Sequence, residues 1–187
     1  GYMFGFKFME NFNYPYISQS MQDFWRRWHI SLTSFIRDYL FLPIAIKRRY
    51  WGKWGIIYAF TISFSLVGLW HGASWNFILW GVLHGVFLIT EHLGFTRVLI
   101  RFPTIFKLLY VHFVLALSWP LFRADTLSNA WGHYKAMFGM SSSSDLEYQT
   151  SLLITFPVIA AIFFGLIFST PIYQVIEERF GAKPENG

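Results

Sequence analysis

The sequence predicts an all-α, polytopic membrane protein with about four transmembrane helices and two interfacial amphipathic helices. Three observations carry that prediction. Of 187 residues, 55% are hydrophobic and only 13% charged, about half the charged share of a soluble domain. Four stretches, residues 54–70, 74–90, 105–122 and 152–169, are apolar over lengths close to what a helix needs to cross a bilayer. Lys and Arg cluster between some of these stretches and not others, the pattern of cytoplasmic loops. The composition also excludes a disordered chain, a collagen-like chain and a soluble nucleic-acid binder. The net charge of +5 is therefore assigned to cytoplasmic loops, and no nucleic acid is expected as a partner.

Taken in order, residues 1–8 are short and apolar but precede no small-residue cleavage site, so no secretory signal is read there. With no initiating Met, the chain is expected to be cut from something longer. Over residues 23–42, Trp25, Trp28, Leu32, Phe35, Ile36 and Tyr39 fall on one helical face. Asp23, Arg26, Arg27, Thr33, Ser34, Arg37 and Asp38 fall on the other. Pro43 ends this helix, which is expected to lie in the bilayer interface. Residues 54–70 carry no charge and span about 26 Å as a helix. Residues 74–90 follow after a very short turn, so the two spans form an antiparallel hairpin.

Lys47, Arg48, Arg49 and Lys53 precede the first span, and Arg97, Arg101 and Lys107 follow the second. Both loops are placed in the cytoplasm. The turn at His71 and the 123–151 loop are then extracytoplasmic, and the 177–187 tail returns to the cytoplasm. A second amphipathic stripe, Leu127, Ala130, Trp131, Tyr134, Met137 and Phe138, predicts an extracytoplasmic interfacial helix over 126–138.

The chain has no Cys, which excludes a disulfide framework, a thiolate metal site and a cysteine acyl-enzyme. Ionisable groups at membrane depth are costly and tend to be functional. His71 is flanked by Trp70 and Trp75 with Gly72 beside it; the competing reading is an aromatic belt around a polar turn. His29 sits at the edge of its helix's apolar face, away from the arginines, and His84 is in mid-span. For both, a packed, hydrogen-bonded histidine is the alternative. His92, His112 and His133 have no supporting context. No HExxH, EF-hand, phosphate-cradling Gly loop or Gly-x-Ser-x-Gly elbow is present, and no metal is expected. Arg26 and Arg27 either form a solvated face with internal ion pairs or hold an anionic phosphate.

Three blocks then show a resemblance. They are Glu10-Asn11-Phe12-Asn13-Tyr14-Pro15-Tyr16 with Phe24 to Leu32 and Arg37-Asp38-Tyr39-Leu40; Trp70-His71-Gly72-Ala73-Ser74-Trp75-Asn76 with Trp80-Gly81 and His84-Gly85; and Phe122-Arg123-Ala124-Asp125 leading to Met137-Phe138-Gly139. In this order they resemble the membrane-bound O-acyltransferases, and within them the bacterial alginate O-acetylase branch. The resemblance implies that residues 1–187 are a single C-terminal portion of a longer membrane domain in the bacterial inner (cytoplasmic) membrane. It implies His71 as the catalytic histidine and His29 as a second motif histidine. Trp70, Trp75, Asn76, Arg26 and Arg27 are the expected substrate-binding residues, although packing equally accounts for the tryptophans.

With no bound cofactor expected, the implied donor is acetyl-CoA or another acyl thioester. The implied acceptor is an extracytoplasmic polysaccharide such as alginate, reached directly or through an acetyltransferase partner protein, with membrane lipid as surroundings. Transfer of D-alanyl groups to teichoic acid or acetyl groups to peptidoglycan is equally compatible. A transporter using a histidine relay is the reading from a different class, but the spans lack the paired carboxylates or arginines such relays use. The isolated 187 residues are expected to be inactive, because four spans leave a reaction chamber open to lipid on one side.

Overall fold

The computed structural model describes residues 4–140, 155–172, 176 and 179, which fall into two units divided between residues 141 and 142. In the first unit, α1 is Met21–Arg27 and α2 Ile30–Ile36; a π-helical turn at Arg37–Phe41 then leads into α3, Leu42–Lys47. α4 is Lys53–His71 and α5 Trp75–Thr90, prolonged through a second π turn, Glu91–Phe95, into α6, Thr96–Leu99. α7 is Thr104–Arg123 and α8 Leu127–Met137. The second unit holds α9, Phe156–Phe168. All regular structure among the described residues is helical, apart from an isolated antiparallel bridge between Phe12 and Trp28.

Among the described residues three helices are long and apolar enough to cross a membrane: α4 at 19 residues, α5 with its extension to Leu99 at 25, and α7 at 20. Of the fourth expected stretch, residues 152–154 lie outside the described residues. α9 is wholly apolar but 13 residues long, or about 20 Å. The α4–α5 hairpin is a close contact made possible by glycine. A Cβ at Gly68 would fall on the Phe77 carbonyl oxygen of α5, and one at Gly81 on the Phe64 carbonyl oxygen of α4. Small residues at such crossings let helix backbones approach where lipid supplies no hydrophobic drive.

Ser74 caps α5 by accepting from the Asn76 N–H at 3.3 Å. Asn76 Nδ2 then donates to the Ala124 carbonyl at 2.6 Å, tying the start of α5 to the end of α7. The Tyr134 hydroxyl donates to the Leu117 carbonyl at 2.6 Å and so holds α8 against α7. His71, Ser74, Ala124 and α8 therefore share one end of the bundle, while Arg48, Lys53 and Arg97 share the other. In α8, Ala130 is buried, whereas Leu127, Trp131, Met137 and Phe138 remain exposed. With no native Cys in the chain, cysteines placed at Ser128 and Arg49 are expected to react with a membrane-impermeant maleimide from opposite sides. Reaction of both from the same side would contradict this topology.

Residues 21–47 depart from the single interfacial helix expected over 23–42. The Met21 and Gln22 N–H groups donate to the Glu91 carboxylate at 2.6 and 3.0 Å, beside the far end of α5. Trp25 packs on Phe64 of α4 and on Trp80 and His84 of α5, and His29 arrives at Trp70. α1 thus runs antiparallel to α5, alongside the spans. α2 and α3 return towards the basic end, where Phe41 packs on Phe60 with ring centroids 4.5 Å apart and Arg48 lies against Gly55. The segment is a re-entrant hairpin with its tip at Trp28-His29.

A chain reversal among packed helices leaves backbone groups that water cannot reach, so it forms only if protein pairs them. Residues 11–13 do so. The Asn13 N–H donates to the Arg27 carbonyl at 2.9 Å and the Ile30 N–H to the Asn11 carbonyl at 3.0 Å. The Asn11 side-chain oxygen accepts from the Ser31 N–H at 2.9 Å and its hydroxyl at 2.5 Å. The break also resets the helical phase, which a wheel drawn through residues 23–42 assumes to be continuous. Phe24 is consequently buried, while Phe35 and Tyr39 are exposed. Nor does Pro43 end the helix. It occupies the first turn of α3, where its missing N–H costs nothing, and the preceding π turn, with the Leu42 N–H donating to the Arg37 carbonyl, leads into it.

Candidate active site

The hairpin tip, the end of α4, the middle of α5 and the C-terminal half of α7 line a cavity of about 160 Å³. His29, His71 and His84 all line it, with Trp25, Trp80 and Phe122 among its walls. His29 is held in the left-handed region, φ 48° and ψ 52°. That conformation is uncommon outside glycine, though histidine is among the residues enriched there. The pairing with residues 11–13 keeps it there, an arrangement typical of functional sites that hold local strain.

His71, the last residue of α4, is fixed by aromatic edges. Its ring centroid lies 4.9 Å from Trp70, 5.0 Å from Trp80 and 5.1 Å from Phe122, all near perpendicular. The Trp70 ring also meets His29 at 6.3 Å, so one indole bridges the two histidines. Both imidazoles are half-buried, and no hydrogen bond inside the described residues occupies His29 Nδ1, although it is buried. The arrangement offers two imidazoles in an apolar, water-poor space roughly large enough for a short acyl group.

The other expected site residues are dispersed. Trp75 is exposed and borders a separate open depression of about 520 Å³ with Asp125 and Ser74. Asn76 is buried, and its amide is committed to Ala124, which ties helices together rather than lining the histidine cavity. Arg27 donates to Asp23 at 3.1 Å and to the Asn13 carbonyl at 3.3 Å, an internal task. Arg26 lines a second cavity of about 250 Å³ between the hairpin and α4, as does Arg37. The Arg37 guanidinium hydrogen-bonds the exposed Asp38 at 2.7 Å and holds that carboxyl below its ordinary pKa. Among the described residues no group of three or more His, Asp or Glu could hold a metal ion.

His84 belongs to this site more closely than the sequence reading placed it. Asn76, Trp80, His84, Leu88 and Glu91 make one buried stripe along α5 and its extension, a spacing that points His84 to the same side as Trp80. Glu91, 1% exposed, has a role that no local pattern announces, because its partners lie some seventy residues away in sequence. Its carboxylate anchors the base of α1 and thereby sets where His29 sits. Glu91→Gln leaves one acceptor for two N–H donors, and a buried donor without a partner costs about 1–3 kcal/mol. A lowered unfolding temperature in detergent is expected, and no change would contradict the anchoring role.

Sequence comparisons identify relatives of this chain. The chain is 41% identical over 184 residues to a "probable alginate O-acetylase" of Azotobacter vinelandii, covering 92% of this chain and 36% of that protein. It is 39% identical over 149 residues to a peptidoglycan O-acetyltransferase of Helicobacter pylori, covering 77% of this chain and 28% of the relative. Identity to a teichoic acid D-alanyltransferase of Bacillus subtilis is 37% over 92 residues, covering 46% and 23%. The chain spans between about a quarter and about a third of the length of these curated relatives. A model of the membrane-bound O-acyltransferase family matches residues 2–116, a stretch that contains the re-entrant hairpin and all three cavity histidines. The chain belongs to the membrane-bound O-acyltransferase family.

Proposed function

We propose that this chain supplies the reaction centre of an enzyme that transfers an acetyl group from a cytoplasmic thioester, such as acetyl-CoA, to a hydroxyl on the extracytoplasmic side. The acceptor is a polysaccharide of the alginate kind or a partner protein that passes the acetyl group on, and the setting is the bacterial inner membrane. The observation that carries this reading is the meeting of His29 and His71, from elements 42 positions apart in sequence, in one apolar cavity. The acceptor oxygen attacks the thioester carbonyl while His71 takes the hydroxyl proton. The carbon–sulfur bond breaks, and the imidazolium returns that proton to the departing thiolate. His29 orients the reacting group or stabilises the developing charge. Arg26 borders the second cavity and in this reading meets a donor phosphate.

The test is transfer of labelled acetyl from acetyl-CoA in native membranes to alginate, peptidoglycan or teichoic acid, with D-alanyl thioester as a parallel donor. Acetyl label on alginate or on a protein intermediate supports the reading. Label carried only from the D-alanyl donor would move the chain to the teichoic acid branch, and substrate flux with no acyl transfer would overturn the enzyme.

A further inference from the structure

Buried polar side-chain atoms in a folded protein nearly always have partners, and each exception needs an explanation. Among the described residues five such atoms have none in hydrogen-bond geometry: Trp25 Nε1, His29 Nδ1, Ser63 Oγ, His84 Nδ1 and Tyr110 Oη, the last of which still faces the Glu91 carboxylate. Three of the five belong to residues that line the histidine cavity. The functional reading uses His29 but leaves Trp25 and His84 unexplained. His84 is 1% exposed and Trp25 6%, and their rings meet edge to face at 5.2 Å. Trp80 stands between His84 and His71, with centroids 4.8 Å from one and 5.0 Å from the other.

On α5, His84 lies four residues beyond Trp80, about 6 Å further from the His71 end and towards the basic end of the bundle. An indole N–H can only donate, and a neutral imidazole can accept. One donor beside one acceptor is the complement of an amide, which presents one carbonyl oxygen and one N–H. We infer that Trp25 and His84 form a subsite for an amide group in the arm of the acyl donor, placed so that the thioester reaches His71. The first amide of a pantetheine arm lies two methylenes from its sulfur, on the side away from the acyl group. Trp25 also borders the second cavity, which Arg26 and Arg37 share, so the arm continues from this subsite towards that cavity.

This inference rests on the thioester-dependent reading above, and a pair of small donors separates the two. S-acetyl-N-acetylcysteamine keeps the first amide of the arm, whereas S-butyl thioacetate has no amide. With the enzyme in native membranes, the amide-bearing thioester is expected to have at least about a tenfold higher kcat/KM, the size of a satisfied against an orphaned buried group. In His84→Leu that ratio falls towards one, as it does in Trp25→Phe, which keeps an aromatic ring and loses only the N–H. His84→Gln, which restores an acceptor, recovers part of it. If the variants slow both thioesters equally, the residues are merely structural and the subsite is wrong although the enzyme is right. If the wild type takes acetyl from neither small thioester nor acetyl-CoA, the functional reading fails and the subsite with it.

Discussion

His71→Ala is expected to lower acyl transfer at least about a hundredfold in native membranes, with the protein still inserted and folded. Removing a positioned general base commonly costs two to four orders of magnitude. The ring is held by aromatic edges rather than by hydrogen bonds to neighbouring helices, so its loss leaves a small cavity and no orphaned polar partner. The fall should appear in kcat more than in the donor KM, because His71 acts on the acceptor proton. His29→Ala is expected to be severely impaired but to retain a measurable rate, as suits a residue that orients or stabilises. Near-normal turnover by a well-folded His71→Ala protein would remove the catalytic assignment.

Gly81→Val should have the largest effect on folding. The substitution places a branched side chain against the Phe64 carbonyl of α4, where the backbone on both sides is helical and has no room to move. Overpacking a tight contact typically costs about 1–3 kcal/mol, more where backbone must shift. Parting α4 from α5 also separates His71 from Trp80, so activity and stability should fall together. Measuring protein retained in the membrane fraction alongside its unfolding temperature checks this. By contrast Gly132→Val, in open space on α8, should leave both nearly unchanged. Equal behaviour of the two variants would mean that the α4–α5 contact is not close.

Much of this fold is written locally. The uncharged run before His71, the short turn through Gly72 and the apolar run from Trp75 specify a helical hairpin, because a long helix needs only its own residues and a low-dielectric setting. The blocks around His29 and His71 were legible for the same reason, as compact motifs. The re-entrant hairpin was not. Its turn depends on Asn11 and Asn13 pairing with Arg27, Ile30 and Ser31, and its base depends on Glu91. A helical wheel contains none of these partners, and an amphipathic stripe reads alike whether it faces lipid headgroups or other helices. Asn76 shows the converse: the amide of a polar residue inside the motif is taken by the Ala124 carbonyl, 48 positions later, which no local pattern announces.

The claim on which the rest depends is that the 21–47 segment carries His29 to the His71 end of the bundle. Cross-linking of a cysteine pair at His29 and Trp70 tests it most directly, since these two rings lie 6.3 Å apart. A short bifunctional thiol reagent should join that pair rapidly in native membranes and should fail to join cysteines at His29 and Trp54, which begins α4 at the opposite end. A surface helix at the cytoplasmic interface would give the reverse, with position 29 joined to position 54 and not to position 70, and that result would contradict the account.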